Sequence, residues 1–204
     1  MSKFIVFEGI DGSGKTTQIQ LLCKALDEKN IPVHITKEPT DDPMGKQLRK
    51  YLGGLEKTDL RAIAALFAAD RLHHITTEDG ILDNLSKGRV VLCDRYYLSS
   101  YAYQSVDCPL DWIMALNSEA ANIARPDLHI FLDVPAEQSM NRVENRGETE
   151  IFEKLDRQQQ IRRNFFELFE MLGDKENVLI IDGTREPEVI AGEIAEKVFS
   201  ILEH

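Results

Sequence analysis

No stretch of this 204-residue chain approaches the roughly 18 consecutive apolar residues that a membrane-spanning helix needs. The opening MSKFIVFEGIDGSGK holds one short apolar run before turning polar and glycine-rich, which is not the core of an export signal. Cysteine is scarce: Cys23, Cys93 and Cys108 are an odd number with no CxxC or Cys/His spacing, which excludes a disulfide framework and a zinc site and suits a reducing compartment. The chain is therefore expected to be cytoplasmic and without a membrane partner. Basic residues are also short, 24 Lys and Arg against 35 Asp and Glu for a formal charge of -11, so a broad basic face gripping nucleic acid is not expected. Any anion must be held locally, by a few placed cations and backbone N–H groups. No Pro/Ser-rich linker or internal repeat appears, and hydrophobic (43%) and charged (29%) contents are those of a globular protein. One domain spanning 1–204 is expected.

Apolar runs recur at Phe4 to Phe7, Val33 to Thr36, Val90 to Cys93, Leu128 to Val134 and Val178 to Ile181. Helical periodicity lies between them: Lys15 to Asn30, closed by Asn30 and Pro32; Asp59 to Lys87, broken near Gly80; Pro109 to Ala124; and Phe152 to Leu172. Strands alternating with helices predict an α/β fold, a five-stranded parallel sheet flanked by helices in three layers.

The most specific motif is Gly9-Ile10-Asp11-Gly12-Ser13-Gly14-Lys15-Thr16, which fits GxxxxGK[ST] and is extended by Thr17. A strand leads in and an amphipathic helix leads out, as the mechanism requires. Glycines let successive N–H groups converge on phosphate oxygens, the helix start adds partial positive charge, Lys15 reaches the β- and γ-phosphates, and Thr16 is placed to ligate Mg²⁺. This P-loop predicts a nucleoside triphosphate site with Mg²⁺. It does not say where the γ-phosphoryl goes.

The strand Val90 to Cys93 delivers Asp94 and Arg95 at its carboxyl end, where open α/β sheets bind ligands. Asp94 is placed like an acid that organises Mg²⁺ and its waters, and Arg95 is able to fork onto a phosphate dianion.

With FEGIDGSGKTTQ, Lys37-Glu38-Pro39, Leu66-Phe67-Ala68-Ala69-Asp70-Arg71, the run from Asp94-Arg95-Tyr96 to Gln104, and Arg125-Pro126-Asp127-Leu128, the chain resembles the thymidylate kinases of the P-loop nucleoside monophosphate kinase family over nearly its whole length. The resemblance implies transfer of the ATP γ-phosphoryl to dTMP, with Mg²⁺, in a homodimer. It implies that Phe67 stacks on thymine and that Arg71 donates to a base carbonyl. Ser100 and Gln104 would read the base edge, with Ser99 beside them, and Tyr103 would crowd the sugar 2′ position. Arg95, Lys37 and Arg49 would hold the acceptor phosphate, with Asp11 nearby, and Thr184 and Arg185 would neighbour the adenine. Two departures stand out. Lys37 occupies a position where arginine is common, and Thr40-Asp41-Asp42-Pro43 replaces the usual glycines with two carboxylates beside an anionic substrate.

Some family members carry an extra cation inside the phosphate loop, but Gly12 has no side chain to offer. The transition-state charge therefore points to Arg142 and Arg146, four residues apart in a polar segment, about 142–151, with the character of a lid. The competing readings are a deoxynucleoside kinase, which has no use for three cations around an acceptor phosphate, and a regulatory P-loop ATPase. For a P-loop switch or motor of that kind, the lack of an NKxD base-reading motif counts against a GTPase switch, and the short chain without an evident partner domain counts against a motor.

Overall fold

The computed structural model of the chain describes residues 2–144 and 155–203. Its centre is the strand β1 (Phe4–Glu8), in which every side chain is buried. Being covered on both faces, it reads as an unbroken apolar run rather than an alternating one. Around it, β2 (Val33–Lys37), β3 (Val90–Asp94), β4 (Leu128–Asp133) and β5 (Val178–Asp182) form an all-parallel sheet in the order β2-β3-β1-β4-β5. The edge strands β2 and β5 are only partly buried; β2 (VHITK) is thin in apolar residues, while β5 (VLIID) is as apolar as the central strands.

Alternation along the strands sorts side chains between two layers of core. Phe4, Val6, Val91, Cys93 and Phe131 face one side. There they pack against α2 (Pro43–Leu52), α3 (Leu60–Thr76), α4 (Ile81–Ser86), α5 (Tyr97–Gln104), α6 (Leu110–Ile123) and α8 (Leu155–Leu172). Ile5, Phe7, Leu92, Ile130 and Leu132 face the other side, against α1 (Lys15–Asp27) and α9 (Pro187–Leu202). Each large apolar side chain buried this way contributes about 1.5–3 kcal/mol. The short α7 (Ala136–Glu144) follows β4.

The expected strands all form, each within one residue or so of its predicted bounds. The long helical stretch is indeed broken at Gly80, where a Cβ would lie 2.3 Å from the carbonyl oxygen of His74, so the chain must turn there on a glycine. Four helices were not anticipated. In α9 the signal was present, since Ile190, Ile194 and Val198 recur at four-residue spacing. In α5 there was none to find, because all eight residues are buried and no polar face gives the segment a period. The loops after β1 and β3 leave in opposite directions along the sheet, which opens the ligand crevice of this architecture at their carboxyl ends.

Candidate active site

The loop after β1 wraps the start of α1. Gly9, Gly12 and Gly14 have φ of 144°, 74° and 98°, values that L side chains rarely adopt. At Gly9 a Cβ would also lie 2.9 Å from the Leu132 carbonyl oxygen, so the loop lies tight against β4. The Lys15 ammonium is inside this loop, donating to the carbonyls of Gly9 (3.3 Å) and Ile10 (3.1 Å). Burial, with Arg95 adding repulsion, lowers its pKa to about 8, which leaves it mainly charged at neutral pH. Thr16 Oγ1 donates to Asp94 Oδ2 at 3.4 Å, and Asp94 Oδ1 is buried with no partner among the described residues. This oxygen-only pair beside a phosphate loop suits Mg²⁺, which keeps most of its waters and binds through one or two protein oxygens plus phosphates. Among the described residues no cluster of three or more His, Cys, Asp or Glu forms an all-protein metal cage.

Immediately after β3, Arg95 adopts φ 70°, a left-handed conformation that costs a bulky residue about 1–3 kcal/mol. Glu8 holds the turn. Fully buried, it accepts from the backbone N–H groups of Tyr96 (3.2 Å) and Ser99 (3.3 Å) and from the Ser99 hydroxyl, supplying the start of α5 with the cap that Tyr96 does not provide. Burial pushes its carboxyl up to about 7, against the opposing pull of the Ser99 hydroxyl and of Arg95. The turn aims the Arg95 guanidinium back over the phosphate loop, where Nη1 donates to the Gly9 carbonyl (3.0 Å) and to Ser99 Oγ (3.2 Å). Nη2 pairs with Asp11, and the guanidinium also lies 4.7 Å from the Tyr103 ring centroid.

Asp11 is a junction. Besides Arg95, its carboxylate accepts from Gln158 Nε2 of α8 at 2.9 Å, and its backbone carbonyl accepts from the Ser139 hydroxyl of α7. Burial alone would raise the Asp11 carboxyl, but Arg95 and Lys15 hold it below the ordinary carboxylate range.

Beside this junction is a narrow cleft, partly open to solvent, lined by Phe67 and Arg71 of α3, Glu38 and Pro39, and by Arg95, Ser99, Ser100, Tyr103 and Gln104. Ser100 Oγ and Gln104 Oε1, one helical turn apart on α5, are buried without hydrogen-bond partners among the described residues. Phe67 supplies the flat apolar wall. Arg71 is about 1% exposed and does not pair with Asp70 or Glu78. It donates to Glu38 through Nε (2.8 Å), with Nη2 in ion-pair contact with the same carboxylate (2.7 Å), and to Asn117 through Nη1. Its neighbour Asp70 accepts from the N–H (2.8 Å) and hydroxyl (2.6 Å) of Thr40. Asp70 and Arg71 thus clamp the Glu38-Pro39-Thr40 loop from both sides.

Lys37 and Arg49 do not line this cleft. Arg49 Nη1 donates to the carbonyl of Pro39 at the cleft rim (3.0 Å), while its Nη2 pairs with Asp41 Oδ1 (2.9 Å) and Lys37 Nζ pairs with Asp41 Oδ2 (3.3 Å).

On the far side of the phosphate loop, Gly12, Ser13, Gly14 and Thr17 share a second cleft, of about 800 Å³ and widely open, with Arg142, Thr184 and Arg185. The Arg142 guanidinium bridges it with long contacts, 3.5 Å to the carbonyl of Gly12 and 3.4 Å to that of Gly183. Arg185 pairs with Glu193 (2.6 Å), and Thr184 folds back onto Asp182. Arg146 and most of the segment 142–151 lie outside the described residues.

Sequence reasoning missed Glu8, Asn117, Ser139 and Gln158. Each acts on a partner far away in the chain, 147 residues in the case of Gln158 and Asp11, and no local pattern marks such a pair. Glu8 alone carried a signal, as a carboxylate closing an otherwise apolar central strand.

A family model for thymidylate kinase matches residues 7–194. A protein from Pyrococcus horikoshii named probable thymidylate kinase is 45% identical over 177 residues, covering 82% of this chain and 83% of its own. Proteins of the same name from Pyrococcus abyssi and Methanococcus maripaludis strain C7 are 40% and 42% identical. The first covers 98% of this chain and 96% of its own, the second 90% and 88%.

Proposed function

The chain belongs to the thymidylate kinase family, and from that membership and the two clefts flanking its phosphate loop we propose that it transfers the γ-phosphoryl of ATP to dTMP, giving dTDP and ADP. The observation that carries the acceptor's identity is the pair of buried, unpartnered oxygens, Ser100 Oγ and Gln104 Oε1, on two residues that line one cleft together with Phe67 and Arg95. A planar base with a ring N–H and carbonyls satisfies those atoms while stacking on Phe67, and a 5′-phosphate then reaches the cationic end.

In this reading the N–H groups from Gly12 to Thr17 and the start of α1 receive the donor phosphates, and Lys15 turns from the loop carbonyls to the β- and γ-oxygens. Thr184 and Arg185 border the nucleoside end of the donor. Thr16 and Asp94 would hold Mg²⁺, which when bound would supply charge neutralisation for the donor phosphates. Arg95 orients the acceptor phosphate, Asp11 orients Arg95, and Tyr103 packs beside the sugar. Arg142 reaches over the donor cleft toward the loop where Gly12 contributes no cation, and Arg146 has the same proposed role. Residues 1–204 form one kinase domain.

No helix among the described residues is long and apolar enough to cross a membrane. A homodimer, without nucleic acid, is the proposed assembly. A coupled assay with dTMP, dUMP, thymidine and no acceptor tests the activity. ADP release is expected to depend on dTMP; equal rates with thymidine, or without acceptor, would overturn the reading in favour of a nucleoside kinase or a regulatory ATPase respectively.

A further inference from the structure

The two sequence departures noted above, Lys37 and the acidic Thr40-Asp41-Asp42-Pro43 loop, meet at one carboxylate. Asp41 engages at once the two cations that the resemblance assigns to the acceptor phosphate and that lie outside the cleft itself, one oxygen on Lys37 (3.3 Å) and the other on Arg49 (2.9 Å). The loop that presents it is fixed. Asp70 takes both Thr40 donors, Arg71 takes Glu38, and Gly45 lies so close beneath that a Cβ there would fall 2.0 Å from the Thr40 carbonyl oxygen. By contrast the bridge itself is open to water, with the side chains of Asp41, Lys37 and Arg49 exposed to 72%, 57% and 36%. Exposed pairs of this kind are weak and are exchanged readily for a better anion. A phosphate dianion carries twice the charge and three acceptor oxygens, and fits the same bridging position between an ammonium and a guanidinium.

We propose that Asp41 is a specificity-determining counter-ion, an internal competitor that holds Lys37 and Arg49 until the phosphate of the acceptor displaces it. It lowers the acceptor's affinity and keeps the two cations from capturing weaker anions. The inference rests on the reading of the Phe67–Arg95 cleft as the acceptor site, since Arg49 is tied to that cleft through the Pro39 carbonyl.

The test compares Asp41→Asn with Asp42→Asn. Asp42 makes the same charge change one residue away but contacts His73 (3.6 Å), not the two cations. Steady-state kinetics are measured with dTMP, and dTMP and thymidine binding by calorimetry, with thermal melts to verify folding. Asp41→Asn is expected to lower the dTMP KM and Kd by about 3- to 10-fold with little change in kcat, and to leave thymidine, which has no phosphate, unaffected. Asp42→Asn is expected to leave all of these unchanged. An unchanged or weakened dTMP affinity in Asp41→Asn would overturn the proposal, as would an equal gain in Asp42→Asn or an equal gain for thymidine. If the unmutated protein fails to turn over dTMP at all, the acceptor reading itself falls; turnover with a KM indifferent to Asp41 removes only this inference.

Discussion

At the scale of single residues, the site sets two kinds of buried polar group against each other. Ser100 Oγ and Gln104 Oε1 have no partner in the protein among the described residues, so they contribute nothing to its stability. A ligand that pairs with them recovers hydrogen bonds that the fold forgoes. Gln104→Leu is therefore expected to raise the dTMP KM about 10- to 100-fold while the melting temperature stays the same or rises, read by kinetics and calorimetry side by side. Glu8 is the opposite case, fully satisfied and still costly to ionise. With its folded pKa raised from 4.5 to about 7, the native state holds a proton that the unfolded chain has released. Its contribution to stability is thus complete below about pH 4.5 and is lost as pH rises to about 7. Urea midpoints across that window are expected to fall less steeply in Glu8→Gln, whose side chain carries no charge to bury. Identical slopes in the two proteins would contradict the assignment.

Elements position these groups through a few close contacts. The loop after β2 carries Glu38, Thr40 and Asp41, and three independent ties fix it: the Asp70–Thr40 and Arg71–Glu38 pairs and the backbone approach at Gly45. The last is the most exposed to substitution. Gly45→Ala places a methyl group against backbone that has no rotamer to escape into, so α2 and the loop must separate. A loss of roughly 2–3 kcal/mol in chemical denaturation, with a raised dTMP KM, is expected. An alanine variant as stable as the parent would mean that α2 is free to shift. The element proposed to bind the acceptor, α5, depends in turn on β1, because its first N–H groups are capped by Glu8 rather than by its own sequence. The phosphate loop and the acceptor helix therefore begin from the two sides of one residue.

Over the whole molecule, a formal charge of -11 sits on a protein that handles two polyanions. The cations that matter, Lys15, Arg71 and Arg95, are withdrawn from the surface and held by carboxylates or carbonyls, while the excess acidic residues lie mainly outside. The body repels itself, and salt screens that repulsion over a Debye length of about 8–10 Å at physiological strength. Raising KCl from about 20 to 300 mM is expected to increase the melting temperature by roughly 2–5 °C in scanning calorimetry. A melting temperature that falls with salt would show that specific ion pairs outweigh the net charge.

The amino-acid sequence determined the strands, the phosphate loop and the Asp94-Arg95 strand end, because each rests on local chemistry: apolar runs, glycines where φ is positive, a charged pair where a strand stops. It also brought Phe67, Arg71, Ser100 and Gln104 within view as a set. Only the tertiary structure decided what those side chains do before substrate arrives. Arg71 is spoken for by Glu38 and Asn117, Asp11 gathers partners from the turn after β3, from α7 and from α8, and Asp41 occupies Lys37 and Arg49. The physical reason is distance along the chain. Periodicity and motif spacing report on neighbours a few residues apart, whereas the pairing of buried charges is settled by which elements pack together, over separations of 33 residues for Arg71 with Glu38 and 84 for Arg95 with Asp11.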